Sequence, residues 1–526
     1  MPTTATKPRI LVNAAANGLG FLAQIAVAFL LTPVLIDALG DARNGVWSLV
    51  ESILAYLTLF DLGVAASVVR HVARFEAHRD QDTLNRVFST SFFIFAGAGA
   101  IAWVITLILA FPAFGFLNVP GEMAVDAREM LLILGANLAL GLPMSVFPCV
   151  LDGLGRYTVK TAIRTGVLLL RALVIMIAIG MGKGTLGLLD VAVIVTLCYV
   201  VEYVLLALAA YLLLPGLRCS LSRVDRPTFR LIRGYSLDAF LAMIAGRVSF
   251  QTDSLVIGRM IGAAPITYFA LAARLTEYAK NALRALTTVL APAVSTLDAR
   301  GDGEGVRKVY LDSTRHVLWL IVPIQVGLLL LGRPFLVLWM GDKYADLSYP
   351  TLAILAVPLS LATAQSVAAR VLYGVGKLKW FARAMMLEAL CNLILSVILA
   401  GPMGIEGVAL GTAIPNFIMN VVVMVSVCRL VGLGLSEYFC RAFAAPCVAG
   451  FLLAAGWWLT GAADRATSWG AWLTVGSVGT AGFALIAALV EAPIFRSAPS
   501  RSRVRTSRLP SLTEAAQQGV LQEDAA

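Results

Sequence analysis

The sequence predicts an all-α polytopic membrane protein, and three observations carry that prediction. Of 526 residues, 59% are hydrophobic and only 14% are charged. Mean hydropathy is +0.85. Apolar runs of about 20 residues, each long enough to cross a hydrocarbon core, recur from Ile10 to Val490. A soluble domain has no use for a dozen such runs.

Taken in order, fourteen spans fit: approximately 10–36, 45–69, 87–111, 130–151, 165–181, 186–214, 235–258, 266–291, 313–332, 350–373, 384–400, 407–428, 442–460 and 470–491. The first follows the basic leader 1–9, is too long for a signal-peptide core, and lacks a small-residue cleavage site, so it reads as a retained helix. An even count places both termini on one side. The leader, the loops after even-numbered spans and the tail hold most of the Lys and Arg, including "RHVARFEAHRD" and Arg218, Arg223, Arg226, Arg230 and Arg233. The opposite loops hold Arg43, Arg128, Lys183, Arg259, Arg333, Lys343 and Arg465. That bias predicts cytoplasmic termini in a multi-pass protein of the inner membrane. The net charge of +10 belongs to these loops and not to a nucleic-acid surface, so no nucleic-acid partner is expected. The Ser/Arg-rich tail 495–526 reads as a disordered cytoplasmic segment. Seven scattered cysteines form no C-x-x-C pair, and with three histidines they read as small buried hydrophobes, with no metal site and no cofactor.

The chain also contains itself twice. "LGDARNGVWSLV" (39–50) matches "IGAAPITYFALA" (261–272), and "ARFEAHRDQDTLNRVF" (73–88) matches "STLDARGDGEGVRKVY" (295–310), both at an offset of 222 residues. "LDGLGRY" (151–157) meets "LYGVGKL" (372–378) at 221. Three ordered matches at a nearly constant offset indicate a duplication. The predicted lobes are 10–233 and 234–433, each with six spans in the same orientation. Residues 434–494 form two further helices outside the repeat. Parallel repeats of this kind bind cargo between the halves near mid-membrane.

The run "LTPVLIDALGDARNGVWSLVESILAYLTLFDLGVAASVVRHVAR" resembles the opening of the polysaccharide-transport (O-antigen/exopolysaccharide) flippases of the MATE-like multidrug/oligosaccharidyl-lipid/polysaccharide (MOP) superfamily. The elements that carry the resemblance are Pro33, Leu39–Gly40, Gly45–Trp47, Asp61–Gly63 and the basic loop Arg70 to Arg79, with "LDGLGRY" and "LYGVGKL" as paired loops. The resemblance covers about residues 10–430. It implies a MATE-like bilobed bundle that works by alternating access. It also implies a cargo of undecaprenyl-pyrophosphate-linked oligosaccharide, with membrane lipids and polysaccharide polymerase or assembly proteins as partners.

Candidate binding residues come from residues 273–292, "ARLTEYAKNALRALTTVLAP". Projected at about 100° per residue, Arg274, Glu277, Asn281, Arg284 and Thr288 fall within roughly 80°, with Lys280 at the edge. An ionised side chain in a span costs on the order of 3 kcal/mol, so these residues face water, each other or an anion. An internal ion-pair network around Glu277 competes with a cationic surface for phosphate or an acidic sugar. Arg247 in span 7 and Asn13, Asn17 and Gln24 in span 1 join the binding set, while Asn416 and Asn420 read as helix–helix glue. Membrane acids that could carry H+ or Na+ are Asp253, Glu51, Asp238 and Asp61, the last placed where helix capping competes.

Three other functions fit less well. A polytopic glycosyltransferase or polymerase needs an acid/base pair on a sizeable external loop, and none is present; the expectation is a protein that is not an enzyme. "GMGKGTLG" (180–187) lacks the full phosphate-loop pattern and reads as a turn. A multidrug antiporter of the same superfamily wants an acidic cavity, against the basic span 8. A lipid II flippase of the same fold is not separated by sequence.

Overall fold

The computed structural model describes residues 6–61, 64–117, 119–181, 186–232, 251–287 and 289–496. It is helical throughout, with no strand among the described residues. Two compact units divide it, Met1–Thr267 and Tyr268–Ala526. The sequence-based lobe boundary at 233/234 lies at the start of 233–250, outside the described residues, while the division between units falls within helix Ala263–Thr287.

Among the described residues, nine helices are long and apolar enough to cross a membrane. Two bent pairs, Asp41–Asp61 with Val64–Ala77 and Asp342–Ala356 with Leu359–Gly374, do so when each is taken as one span. The 53-residue helix Leu378–Leu430 breaks at Gly404 (φ 60°, ψ −140°), so it holds both predicted spans 11 and 12. Only glycine adopts that conformation without strain, and it lets the chain reverse at the membrane face. Predicted span 7 lies mostly outside the described residues. Predicted span 8 is present as Ala263–Thr287, but its charges exclude it on apolarity alone. The fourteen-span layout is accommodated in this way.

Apolar side chains cover the outside as well as the core. Along Tyr157–Met181, Leu169, Leu170, Leu173, Met176 and Ile177 are all exposed. A surface of that kind is solvated by lipid tails, and such helices associate through close packing and polar contacts instead of water exclusion. Close packing is visible at Gly45, the glycine of the Gly-x-Trp motif. A Cβ there would lie 1.8 Å from the Ala263 carbonyl oxygen, so helix Asp41–Leu57 and the start of Ala263–Thr287 touch backbone to backbone. Asn44 Nδ2 donates to Thr267 Oγ1 (3.1 Å), and Thr267 in turn donates to the Asp41 carbonyl (2.8 Å), so the tight crossing is also hydrogen-bonded.

The duplication is legible in the backbone. Helices Gln81–Ala110 and Gly303–Leu330 begin 222 residues apart, each capped by an aspartate. Asp80 accepts from the Thr83 amide (3.0 Å) and Asp302 from the Gly305 amide (2.8 Å). Their dihedrals are nearly the same, (−86°, 80°) and (−86°, 73°). The residue before each cap is left-handed: Arg79 (φ 55°) in the first copy, Gly301 (φ 68°) in the second. The paired loops also agree, because Gly153 presses on Val72 and the Val69 carbonyl as Gly374 presses on Val294 and the Ala291 carbonyl. Helix contacts recur at equivalent positions although few side chains were kept. Within the second unit, Ala444–Leu459 and Trp469–Arg496 lie outside the repeat. Trp469–Arg496 docks through Glu491, which forms an ion pair with Arg315 Nε (2.6 Å) and accepts from Trp319 Nε1 (2.6 Å), and Ala444–Leu459 packs its Gly450 against Val322.

Candidate functional site

In the second unit, helix Ala263–Thr287 carries the predicted polar stripe. Arg274, Glu277, Lys280 and Asn281 are half-buried, and Arg284 is exposed. Arg284 Nη2 lies 3.7 Å from Glu277 Oε1, with the Arg284 side chain 55% exposed. This is an ion pair two turns apart (i,i+7), longer than a charge-assisted hydrogen bond. Lys280 acts electrostatically on Glu388, a carboxylate only 7% exposed inside the hairpin Leu378–Leu430.

That hairpin holds a polar ladder. Asn416 Nδ2 donates to Glu388 Oε1 (2.9 Å), Asn420 Nδ2 to Asn416 Oδ1 (2.9 Å), and Asn392 Nδ2 to Thr412 Oγ1 (2.8 Å). Asn416 therefore holds helix to helix, with Asn420 bonded to it along the same helix. Glu388 and Asn392, absent from the sequence-based candidates, are the partners of Asn416 and Thr412. A single charge in a long apolar run carries little periodic signal, so this ladder was not legible before its two strands of helix were paired.

In the first unit the candidates scatter. Asn17 and Gln24 are exposed on the first helix and line a cleft described below. Asn13 belongs to the same helix, and Asp238 and Arg247 lie outside the described residues. Asp253 is 4% exposed, next to Thr252, which bonds Tyr56 Oη (2.7 Å). Glu51 is exposed. Asp61 accepts from the Ala65 amide (3.4 Å) and so caps the helix Val64–Ala77.

The cleft has a volume of about 410 Å³ and lies between the helices Thr6–Leu39, Tyr157–Met181 and Leu188–Leu213. Its cations are Lys160, Arg164 and Arg171, which project within about 40° of one another on a single helix. Lys160 Nζ pairs with Asp152 Oδ1 (2.5 Å) and Arg164 Nε with Glu202 Oε1 (3.3 Å). The Arg171 guanidinium carbon lies 5.3 Å from the Tyr199 ring centre. Thr161 Oγ1 donates to Asn17 Oδ1 (2.8 Å), and at Gly20 a Cβ would come within 2.6 Å of Thr161 Cγ2. The missing side chain at Gly20 lets the first helix approach the cationic one.

The predicted spans leave Lys160 and Arg164 in the loop between 151 and 165 and Arg171 alone inside 165–181, so the three cations form no stripe in the sequence. The same angular projection that found the stripe on residues 273–292 finds this one once the helix is known to start at Tyr157. Both groups of cations suit phosphate oxygens or sugar carboxylates. Among the described residues no cluster of His, Cys, Asp and Glu is suited to a metal ion.

Comparison with known proteins fits this arrangement. A family model described as "Polysaccharide biosynthesis protein" matches residues 38–349. A relative from Haloferax volcanii, named "Probable low-salt glycan biosynthesis flippase Agl15", is 26% identical over 223 residues, 42% of this chain and 47% of that protein. The match therefore spans about half the length of that curated relative. Among solved structures, the lipid II flippase MurJ in an inward closed conformation superposes with TM-score 0.72 at 14% identity, covering 92% of this chain and 100% of MurJ. An inward-facing multidrug resistance MATE transporter of the MOP superfamily gives TM-score 0.68 at 16% identity, covering 77% and 94%. At such identities the likeness is one of fold.

Proposed function

The chain belongs to the polysaccharide biosynthesis protein family and shares the fold of MOP-superfamily transporters, and from that premise we propose that it flips a lipid-linked glycan across the membrane. The cargo in this reading is an oligosaccharide on undecaprenyl pyrophosphate. It moves across the inner membrane by alternating access, with both termini cytoplasmic. The protein moves its cargo without making or breaking a covalent bond in it, and it hands the cargo to polysaccharide polymerase or assembly proteins on the far side. H+ or Na+ supplies the drive through Asp253 or Glu51.

The observation that carries the reading is the gathering of cations on the faces of membrane-spanning helices. Lys160, Arg164 and Arg171 share a cleft with one paired carboxylate each for the first two. Arg274, Lys280 and Arg284 share a helix with Glu277. Lipid cannot solvate such charges, and a drug cation is repelled by them, whereas a pyrophosphate is held.

The test is transport by the purified protein in proteoliposomes, with fluorescent undecaprenyl-pyrophosphate oligosaccharide and lipid II in parallel. Movement of the oligosaccharide carrier under an H+ or Na+ gradient supports the reading. Movement of lipid II alone, or of cationic drugs alone, replaces it. Orientation has its own check: cysteines placed at 70–86, 215–233 and 293–312 stay protected from an impermeant thiol reagent in intact cells, and those at 118–126 and 342–348 are labelled.

A further inference from the structure

Residues 214–232, the last described stretch of the first repeat, are fastened to one end of two spans and still leave apolar side chains uncovered. The stretch leaves helix Leu188–Leu213, whose last turns expose Tyr211 and Leu212, and lies along the first turns of Gln81–Ala110. Both helices are long and apolar enough to cross a membrane, so their shared end marks the level of the lipid headgroups. In the orientation proposed above, that end is cytoplasmic.

Two buried side chains of Gln81–Ala110 hold the backbone of the stretch. Asn85 Nδ2 donates to the Gly216 carbonyl (3.0 Å), and Asn85 Oδ1 accepts from the Arg218 amide (2.9 Å). Ser89 Oγ donates to the Arg218 carbonyl (3.2 Å) and accepts from the Ser220 amide (3.2 Å). Further on, Arg223 pairs with Asp82 (2.8 Å). Asp225 pairs with Arg86 (3.2 Å) and accepts from the Thr228 amide (2.8 Å). Thr228 and Ile232 are buried on the inner side of the short helix 226–232.

The outer side is both apolar and basic. Leu221 is 68% exposed and Phe229 45%, with Val224 and Leu231 exposed as well. Arg218, Arg226 and Arg230 are exposed and form no ion pair among the described residues, since Asp82 and Asp225 are taken by Arg86 and Arg223. Arg226 and Arg230 are one helical turn apart on the side opposite Thr228 and Ile232, with Phe229 and Leu231 flanking them. Water does not satisfy the apolar groups, and the hydrocarbon core does not take the arginines. The boundary where acyl chains meet anionic headgroups suits both.

We propose that residues 217–232 form a docking surface for anionic phospholipid, with Leu221, Val224 and Phe229 set among the upper acyl carbons and Arg218, Arg226 and Arg230 on headgroup phosphates. A zwitterionic leaflet offers the same apolar depth without net charge, so the preference for anionic lipid resides in the arginines. The hydrogen bonds from Asn85 and Ser89 fix the backbone before lipid arrives, which lowers the ordering cost of docking.

The experiment uses the purified full chain with the exposed Cys219, Cys391, Cys440 and Cys447 replaced by Ser. A fluorophore on Val224→Cys is followed in nanodiscs of phosphatidylcholine alone, or of phosphatidylcholine and phosphatidylglycerol in equal parts. Lipids brominated high on the acyl chain quench the label when it is docked. Quenching is expected to be strong with phosphatidylglycerol, weaker with phosphatidylcholine alone, and reduced by added salt. Each arginine contributes about fivefold to docking, so Arg230→Gln shifts the equilibrium by that factor. Arg218→Gln, Arg226→Gln and Arg230→Gln together shift it about 100-fold, and the triple variant behaves in the anionic bilayer as the unaltered arginines do in phosphatidylcholine. Equal quenching in the two bilayers, or a triple variant that still distinguishes them, overturns the proposal. A label that stays in water in both nanodiscs yet is shielded in native membranes assigns the surface to a protein partner and overturns it as well.

Discussion

Replacing Arg284 by Ala separates an anion-binding role from a structural one, and the geometry sets the size of each effect. The Arg284–Glu277 pair is 3.7 Å long with the arginine side chain 55% exposed. An exposed pair contributes at most about 1 kcal/mol, and one beyond hydrogen-bonding distance contributes less. Loss of the pair therefore leaves fold and insertion nearly untouched. A charge-assisted contact with a phosphate is worth about 1.5–3 kcal/mol, which is roughly 10- to 100-fold in affinity. Arg284→Ala is thus expected to keep its membrane protein level, read by quantitative immunoblot, and to lose about 10-fold or more in binding of undecaprenyl-pyrophosphate oligosaccharide. Arg284→Lys recovers part of the loss, because charge survives and the planar fork does not. The opposite pattern refutes the reasoning: a fall in protein level with Arg284→Ala, restored together with export by adding Glu277→Gln, means that the pair serves only the fold.

Three further outcomes are expected. Gly45→Ala places a methyl group against the Ala263 carbonyl, which cannot rotate away, so thermal stability in detergent falls by about 1–3 kcal/mol or more; at Gly20 the obstacle is the Thr161 side chain, which can move, and the loss is smaller. Asp80 and Asp225 are held below the ordinary aspartate range chiefly by side-chain hydrogen bonds with Thr83 and Thr228. Their folded values are depressed, so their stabilisation is present above about pH 4 and is lost as pH falls through the folded values; Asp80→Asn with Asp225→Asn should lower the melting temperature across about pH 5–8 and flatten the acid limb, so that the variant and the unaltered protein converge at low pH. Asp253→Asn or Glu51→Gln should retain cargo binding while losing dependence of transport on the ion gradient, and an unchanged pH and Na+ response in both variants removes these acids from the coupling step.

The sequence by itself determined the membrane class, the order of spans and the duplication, because lipid imposes its demands locally. Each span must be long, apolar and helical regardless of its neighbours, so runs such as 87–111 and 186–214 reveal themselves one at a time. The repeated loops were equally legible: caps and left-handed turns are set by a few adjacent residues, and Asp80 and Asp302, or Gly153 and Gly374, keep their tasks even where the surrounding sequence has drifted. The polar stripe of span 8 followed from periodicity alone. Only the tertiary structure decided which charges meet. That Glu388 answers Asn416, that Glu202 takes Arg164, and that Arg171 stacks near Tyr199 depend on residues 28 to 38 positions apart being brought together across separate helices. Periodicity fixes the face on which a side chain lies, but not the helix that face meets. The choice of partner depends on small residues such as Gly20 and Gly45, which let two backbones approach and so determine which polar groups share one cleft.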